Sequence, residues 1–226
     1  MKLPVTFGFI TLLASVSTFA QNAPAAPGPF KAGEPLGTVN EAGVATPLSA
    51  NVKVYGSFRF SESCTFDPAK NLILAMNAGI GQELVQNDGY VSLINPDGSV
   101  HTAKWIGATR DGLTLNHPRG SAVSNGVLYT VDEGVLRSYN LATGQPLKDV
   151  TVPGGTFMNG IGVTADGTAY ISNTRGPEQI IKVTPDGTVS VFIDGAPLAA
   201  PNGVAIDNAG NIVVVNIGDN SVLTFN

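Results

Sequence analysis

From residue 52 onward the apolar positions come in short runs rich in Val, Ile, Tyr and Thr, and no 3.6-residue period is sustained among them. Asp-Gly, Asn-Gly and Thr-Gly dipeptides separate the runs, which is the punctuation of β-hairpins. The runs also recur as a unit. Arg119-Gly120 opens a run that passes through Asn125-Gly126 into 127–132; Asn159-Gly160 leads through Asp166-Gly167 into 168–173; Asn202-Gly203 leads through Ala209-Gly210 into 211–216. A more divergent copy lies upstream, where Glu62-Ser63 leads to Asp67 and then to the run 72–77. The recurring glycines 120, 160 and 203 are spaced by 40 and 43 residues.

Each unit continues with two further strands. They are predicted at 89–95 and 99–106 around Pro96-Asp97-Gly98, at 135–140 and 147–152 around Thr143-Gly144, and at 180–184 and 188–193 around Pro185-Asp186-Gly187. Four strands per unit of roughly 40 to 45 residues is the spacing of a propeller blade. A flat sandwich also has short alternating strands, but not the same turn residues at the same phase in successive units. The expected fold is therefore all-β, a β-propeller of four-stranded blades over residues 50–226. Three blades are complete and the fourth stops after a third strand at 221–225, so about two more units would be needed for a six-bladed ring. The chain is thus expected to be a fragment of about four blades with an incomplete ring. A four-bladed ring is the alternative, with 52–58 pairing onto the last blade as its missing outer strand.

Residues 1–20 form a separate unit. Met1-Lys2 supplies a positive start, 5–16 is apolar, and Thr18-Phe19-Ala20 offers small side chains at the two positions a signal peptidase reads. A signal peptide and a secreted or periplasmic destination are expected, without a membrane anchor, since no cysteine follows the cleavage point. Residues 21–49, opening on Ala-Pro-Ala-Ala-Pro-Gly-Pro from 23, read as a flexible or extended linker. Cys64 is the only cysteine, which rules out an intrachain disulfide. With 13% charged residues and a net charge of -5, the chain has no basic patch, so nucleic acid and anionic membrane surfaces are poor partners.

Candidate chemistry comes from phase. The residues just before the recurring glycines, and before Ser63 in the first copy, are Glu62, Arg119, Asn159 and Asn202. The innermost strand of each blade lines the central channel, so residues at one phase converge on one opening. Asn-Gly and Arg-Gly can also be plain turn formers with glycine at positive φ, but Glu62 and Arg119 are not turn residues. Glu62 carboxylate with the Asn159 and Asn202 amide oxygens forms a hard-donor set for a divalent cation, Ca²⁺ or Mg²⁺ first, with Zn²⁺ or Mn²⁺ as alternatives. Arg119 is placed to hold a carboxylate or phosphate of a substrate, or to pair with Glu62. His117 precedes a proline and reads as a solvated loop histidine, His101 as an exposed strand residue, and Asp67, Asp97, Asp166, Asp186 and Asp207 as turn residues. No Gly-x-Ser-x-Gly elbow, phosphate-cradling loop or zinc-spaced His/Cys cluster occurs.

At these residues the chain resembles the SMP-30/gluconolactonase/LRE-like proteins, six-bladed propellers that include sugar lactonases. The resemblance covers about 52–226. It is carried by Glu62-Ser63-Cys64-Thr65-Phe66-Asp67-Pro68, similar to the family's Glu-Gly-Pro-x-Trp-Asp element, and by Met158-Asn159-Gly160-Ile161 and Pro201-Asn202-Gly203-Val204. It implies metal ligation by Glu62 and Asn159 and a metal-dependent hydrolysis of a small polar lactone or sugar-like ligand in the channel. Two positions depart from the family. Asn202 stands where the family has the Asp considered its general base, and an amide cannot take a proton. Pro118-Arg119-Gly120 stands where the lactonases have Asn-Asp-Gly. The catalytic base is therefore unassigned, and a non-catalytic propeller binding a small ligand or protein at the channel face is the rival expectation.

Overall fold

The computed structural model describes residues 33–35, 37–39, 42, 44–47, 55–56, 58–79, 85–108 and 115–226. The signal peptide expected at 1–20 lies outside them, as does most of the linker expected at 21–49. Within that linker, β1 (Gly37–Val39) and β2 (Ala45–Pro47) pair as a short antiparallel ribbon, so the stretch is not wholly unstructured.

The repeats fold as four antiparallel sheets. Blade one holds β3 (Ser61–Asp67), β4 (Leu72–Asn77), β5 (Tyr90–Ile94) and β6 (Val100–Gly107). Blade two holds β7 (Pro118–Ser124), β8 (Val127–Asp132), β9 (Val135–Asn140) and β10 (Pro146–Thr151). Blade three holds β11 (Met158–Val163), β12 (Ala169–Asn173), β13 (Gln179–Val183) and β14 (Val189–Asp194), and blade four has β15 (Pro201–Ile206), β16 (Ile212–Asn216) and β17 (Val222–Phe225). Strand order follows chain order in every sheet, so each strand is joined to the next by a local hairpin connection. Turn chemistry explains why these connections are tight. Asn125 and Gly126 both take positive φ, at 48° and 73°, as a two-residue type I′ turn requires.

The period-two alternation feeds two cores at once. Along β12, Ala169 and Ile171 are buried toward blade two, whereas Tyr170 is buried toward blade four. On β13, Ile181 and Val183 join the first of these cores and Ile180 the second. A third core, built on Leu74, Met76, Val91 and Ile106, joins blade one to Leu128 and Tyr139 of blade two. Each core thus glues one blade to the next, and the four sheets form a continuous arc.

The arc is open, as expected for a piece of about four blades. No described residue pairs on the outer side of β17. Tyr55, from the segment offered for that pairing, packs instead against Gly98 in the β5–β6 turn of blade one. Cys64 and Phe66 on blade one, and Val215 and Val222 on blade four, are exposed. Among the described residues no helix is long and apolar enough to cross a membrane.

Candidate active site

Pairing between the first two strands breaks at one place in every blade. The breaks fall between Ser61 and Cys64, Pro118 and Ser121, Met158 and Ile161, and Pro201 and Val204. They enclose Glu62-Ser63, Arg119-Gly120, Asn159-Gly160 and Asn202-Gly203, so the shared phase is a shared β-bulge, a device that re-aims a side chain.

The glycines in these bulges are not turn glycines, since none of Gly120, Gly160 and Gly203 has a positive φ. Space demands them. A Cβ on Gly120 would collide with the carbonyl oxygen of Asn159, and one on Gly160 with that of Asn202. In blade one Ser63 donates its hydroxyl to the Arg119 carbonyl at 2.5 Å. The innermost strands of blades one, two and three therefore each rest on the backbone of the next channel residue.

A second equivalent position fixes the loop that enters each innermost strand. Asn77, Asp132, Asn173 and Asn216 close the second strands and are almost wholly buried. Asn77 Oδ1 accepts the Arg59 N–H at 2.9 Å, and Asn173 Oδ1 accepts the Phe157 N–H at 2.9 Å. Asp132 accepts two, from Asn116 at 3.0 Å and His117 at 2.6 Å. Its charge is met by Arg137, whose Nε donates to Oδ2 at 2.6 Å while Nη1 reaches Asp149 at 2.6 Å. In blade four Asn216 turns its amide to Ser221, and the Ala200 N–H goes to Glu178.

These two devices shape a cavity of about 330 Å³ lined by Phe60, Glu62, His117, Arg119, Phe157 and Arg175. Arg119 is buried and fixed on three sides. Its Nη2 lies 3.1 Å from Glu133, its Nη1 is 3.4 Å from the Met158 carbonyl, and its guanidinium sits 4.3 Å from the centre of the Phe157 ring. The Arg175 guanidinium lies 4.7 Å from the same ring. The partner of Arg119 is thus Glu133 and not Glu62. Glu62 is exposed at the cavity and comes within 4 Å of no described cationic nitrogen, which leaves its carboxylate free.

His117 is not a solvated loop residue. It is 2% exposed, stands edge-on to Phe60 with ring centres 5.9 Å apart, and its Nδ1 has no hydrogen-bond partner among the described residues. The Asp132 clamp draws its backbone inward and Pro118 continues directly into β7. Burial, helped by the nearby Arg119 charge, pushes its pKa below 6.5 against the opposing pull of Glu133, Glu62 and Asp132. The unfolded chain therefore binds this proton more readily than the fold does. The contribution is fully present above the ordinary pKa and is lost as pH falls below it. The unfolding midpoint should accordingly fall between about pH 7.5 and about pH 5.5, and fall less in His117→Gln, which thermal scans at the two values will show.

The other expected residues sit where the repeat puts them. His101 is exposed and hydrogen-bonds to Thr102, and Asp97, Asp166, Asp186 and Asp207 accept hydrogen bonds from their own turns. Asn159 and Asn202 are half-buried in the bulges of β11 and β15 and do not line the Glu62 cavity. Among the described residues no three His, Cys, Asp or Glu side chains gather as a metal cage. One carboxylate and two amides suit a hard cation chemically, but the cavity does not assemble them, so no step below depends on a metal. The sequence reading missed Phe60 and Phe157. Both lie two residues before a channel residue, as His117 does, and a strand puts i and i−2 on one side. Their shared phase was the available signal; Glu133 and Arg175 have none.

No protein-family model and no curated protein sequence matches the chain. Solved structures do. A gluconolactonase from Xanthomonas campestris superposes with a TM-score of 0.52 at 16% identity, over 74% of this chain and 61% of that one. Streptogramin B lyase gives 0.51 at 15% identity over 73% and 54%, and the WD40 β-propeller domain of Doa1 gives 0.52 at 16% over 77% and 54%. The fold these structures share with the chain is a β-propeller. The chain spans less than two thirds of each of these structures, between 54% and 61% of their lengths.

Proposed function

We propose that this gluconolactonase-like propeller is an exported hydrolase that opens a lactone, or cleaves a related ester, of a small polar substrate in the cavity between blades one, two and three. Glu62 carries the reading. It is a carboxylate at the bulge phase, open to the cavity, with no described Lys, Arg or His nitrogen within 4 Å. Such a group can take a proton from water as the water oxygen adds to the lactone carbonyl carbon. The Arg119 guanidinium, held by Glu133 and Phe157, supports the negative charge that develops on the carbonyl oxygen. Collapse breaks the ring C–O bond, the released alkoxide recovers the proton from Glu62, and the product is a hydroxy acid. Proton release from a panel of sugar and aliphatic lactones tests this, and at least one should be hydrolysed.

A divalent cation on Glu62, Asn159 and Asn202 has its own test. Adding Ca²⁺, Mg²⁺, Mn²⁺ or Zn²⁺ should raise the unfolding midpoint by mass action if one binds there, and Glu62→Gln should abolish the rise. No rise with any of them retires the metal and leaves Glu62 as the base. The second reading is a non-catalytic ligand binder. It is favoured by Asn202, whose amide cannot serve as a base. Binding without turnover across the lactone panel would establish it.

A further inference from the structure

Three rings and two guanidiniums make up most of the cavity wall, which is unusual for a site meant only for a neutral polyol. Phe60, His117 and Phe157 come from the same position in three successive blades, two residues before each bulge. Arg119 and Arg175 both lean on the Phe157 ring. Arg119 is partly neutralised by Glu133, whereas Arg175 has no described carboxylate within 4 Å. Neither guanidinium reaches Glu62 within that distance, so the positive end of the cavity and the Glu62 carboxylate are separate features.

We propose that the cavity binds an aromatic carboxylate, with the carboxylate on Arg119 and Arg175 and the ring against Phe60 and Phe157. Arg175, stacked on Phe157 with no described carboxylate within 4 Å, keeps N–H donors for a ligand carboxylate, and Arg119 adds those that Glu133 and the Met158 carbonyl leave over. Apolar ring faces beside them take the body of the ligand. The inference rests on the hydrolase reading only in naming its substrate class, a lactone or ester whose hydrolysis releases the aromatic carboxylate as product.

The test is isothermal titration of the full chain with 4-hydroxybenzoate, its neutral isostere 4-hydroxybenzamide, and gluconate. The benzoate should bind at least tenfold more tightly than either of the others, since the amide removes the charge and gluconate removes the ring (roughly the worth of one charge-assisted hydrogen bond or one ring contact). Arg175 is exposed, so Arg175→Gln should fold normally and weaken benzoate about tenfold without changing the benzamide. Equal binding of benzoate and benzamide, unchanged binding in Arg175→Gln, or no binding of the benzoate overturns the proposal. Benzoate binding with no lactone turned over sinks the hydrolase reading alone. Lactone turnover that the benzoate neither inhibits nor competes with sinks this inference alone.

Discussion

Gly160→Ala should destabilise the protein by about 3 kcal/mol or prevent its folding, while Gly203→Ala should change stability by no more than about 0.5 kcal/mol. The two glycines occupy the same bulge phase of successive blades and neither has a positive φ, so conformational freedom cannot separate them. Their surroundings differ. The methyl of an alanine at 160 would overlap the Asn202 carbonyl oxygen and crowd the backbone at Gly203 and Val204, all of it main chain that cannot rotate away. At 203 the nearest atoms belong to the Val215 side chain, at 3.8 Å, an ordinary contact. Interiors packed to native density accept an added methyl only by moving their neighbours. Here the neighbours are two β-ladders. Urea unfolding at constant slope measures both variants. Equal, small effects would mean that the innermost strands do not rest on one another as described.

Asp132→Ala should cost about 3 to 5 kcal/mol, the range for breaking one side of a buried ion pair. Two further consequences follow from this substitution. The Asn116 and His117 N–H groups lose the acceptor they share, and Arg137, itself nearly buried, keeps only Asp149. Asp132→Asn should cost less, because Asn77 and Asn173 show that an amide at this position still accepts one N–H. The repeat also supplies a rescue. Arg137 pairs across the sheet with Thr130, as Ile181 pairs with Ile171 in blade three, where the clamp is Asn173. The double variant Asp132→Asn with Arg137→Ile reproduces that neutral pair and should recover most of the stability lost by Asp132→Ala. A double variant as unstable as the alanine would show that the charge itself, not the hydrogen bonds to the entering loop, holds this region.

How far the sequence carried this picture depends on which force set each feature. Strands, turns and blade spacing were legible because hairpin dipeptides and period-two alternation act locally; the turn at Asn125-Gly126 is the plainest case. Phase also picked out Glu62 and Arg119, which do share a cavity. What phase could not give was the reason for the glycines, because that reason is a backbone forty residues away. Glu133 as the partner of Arg119 was not legible for a similar cause. Glu133 belongs to no repeated position and takes a φ of 45° in the β8–β9 turn, so only the folded blade brings it to Arg119. His117 looked solvated because a residue before proline in a loop usually is. Its burial comes from the Asp132 clamp and the Phe60 ring, both of which lie on other strands or loops. Asn159 and Asn202 keep the expected phase yet stand outside the cavity, since one phase fixes a ring of positions and not a single pocket.

The central claim is that Glu62 does chemistry in this cavity. Its most direct test is the turnover number of the wild-type chain and of Glu62→Gln on the best substrate of the lactone panel, with unfolding midpoints taken alongside. Because Glu62 is exposed and forms no ion pair with a described residue, the substitution should leave the midpoint unchanged and lower turnover at least about 100-fold, the contribution of a general base. Turnover in Glu62→Gln within about twofold of wild type would contradict the account.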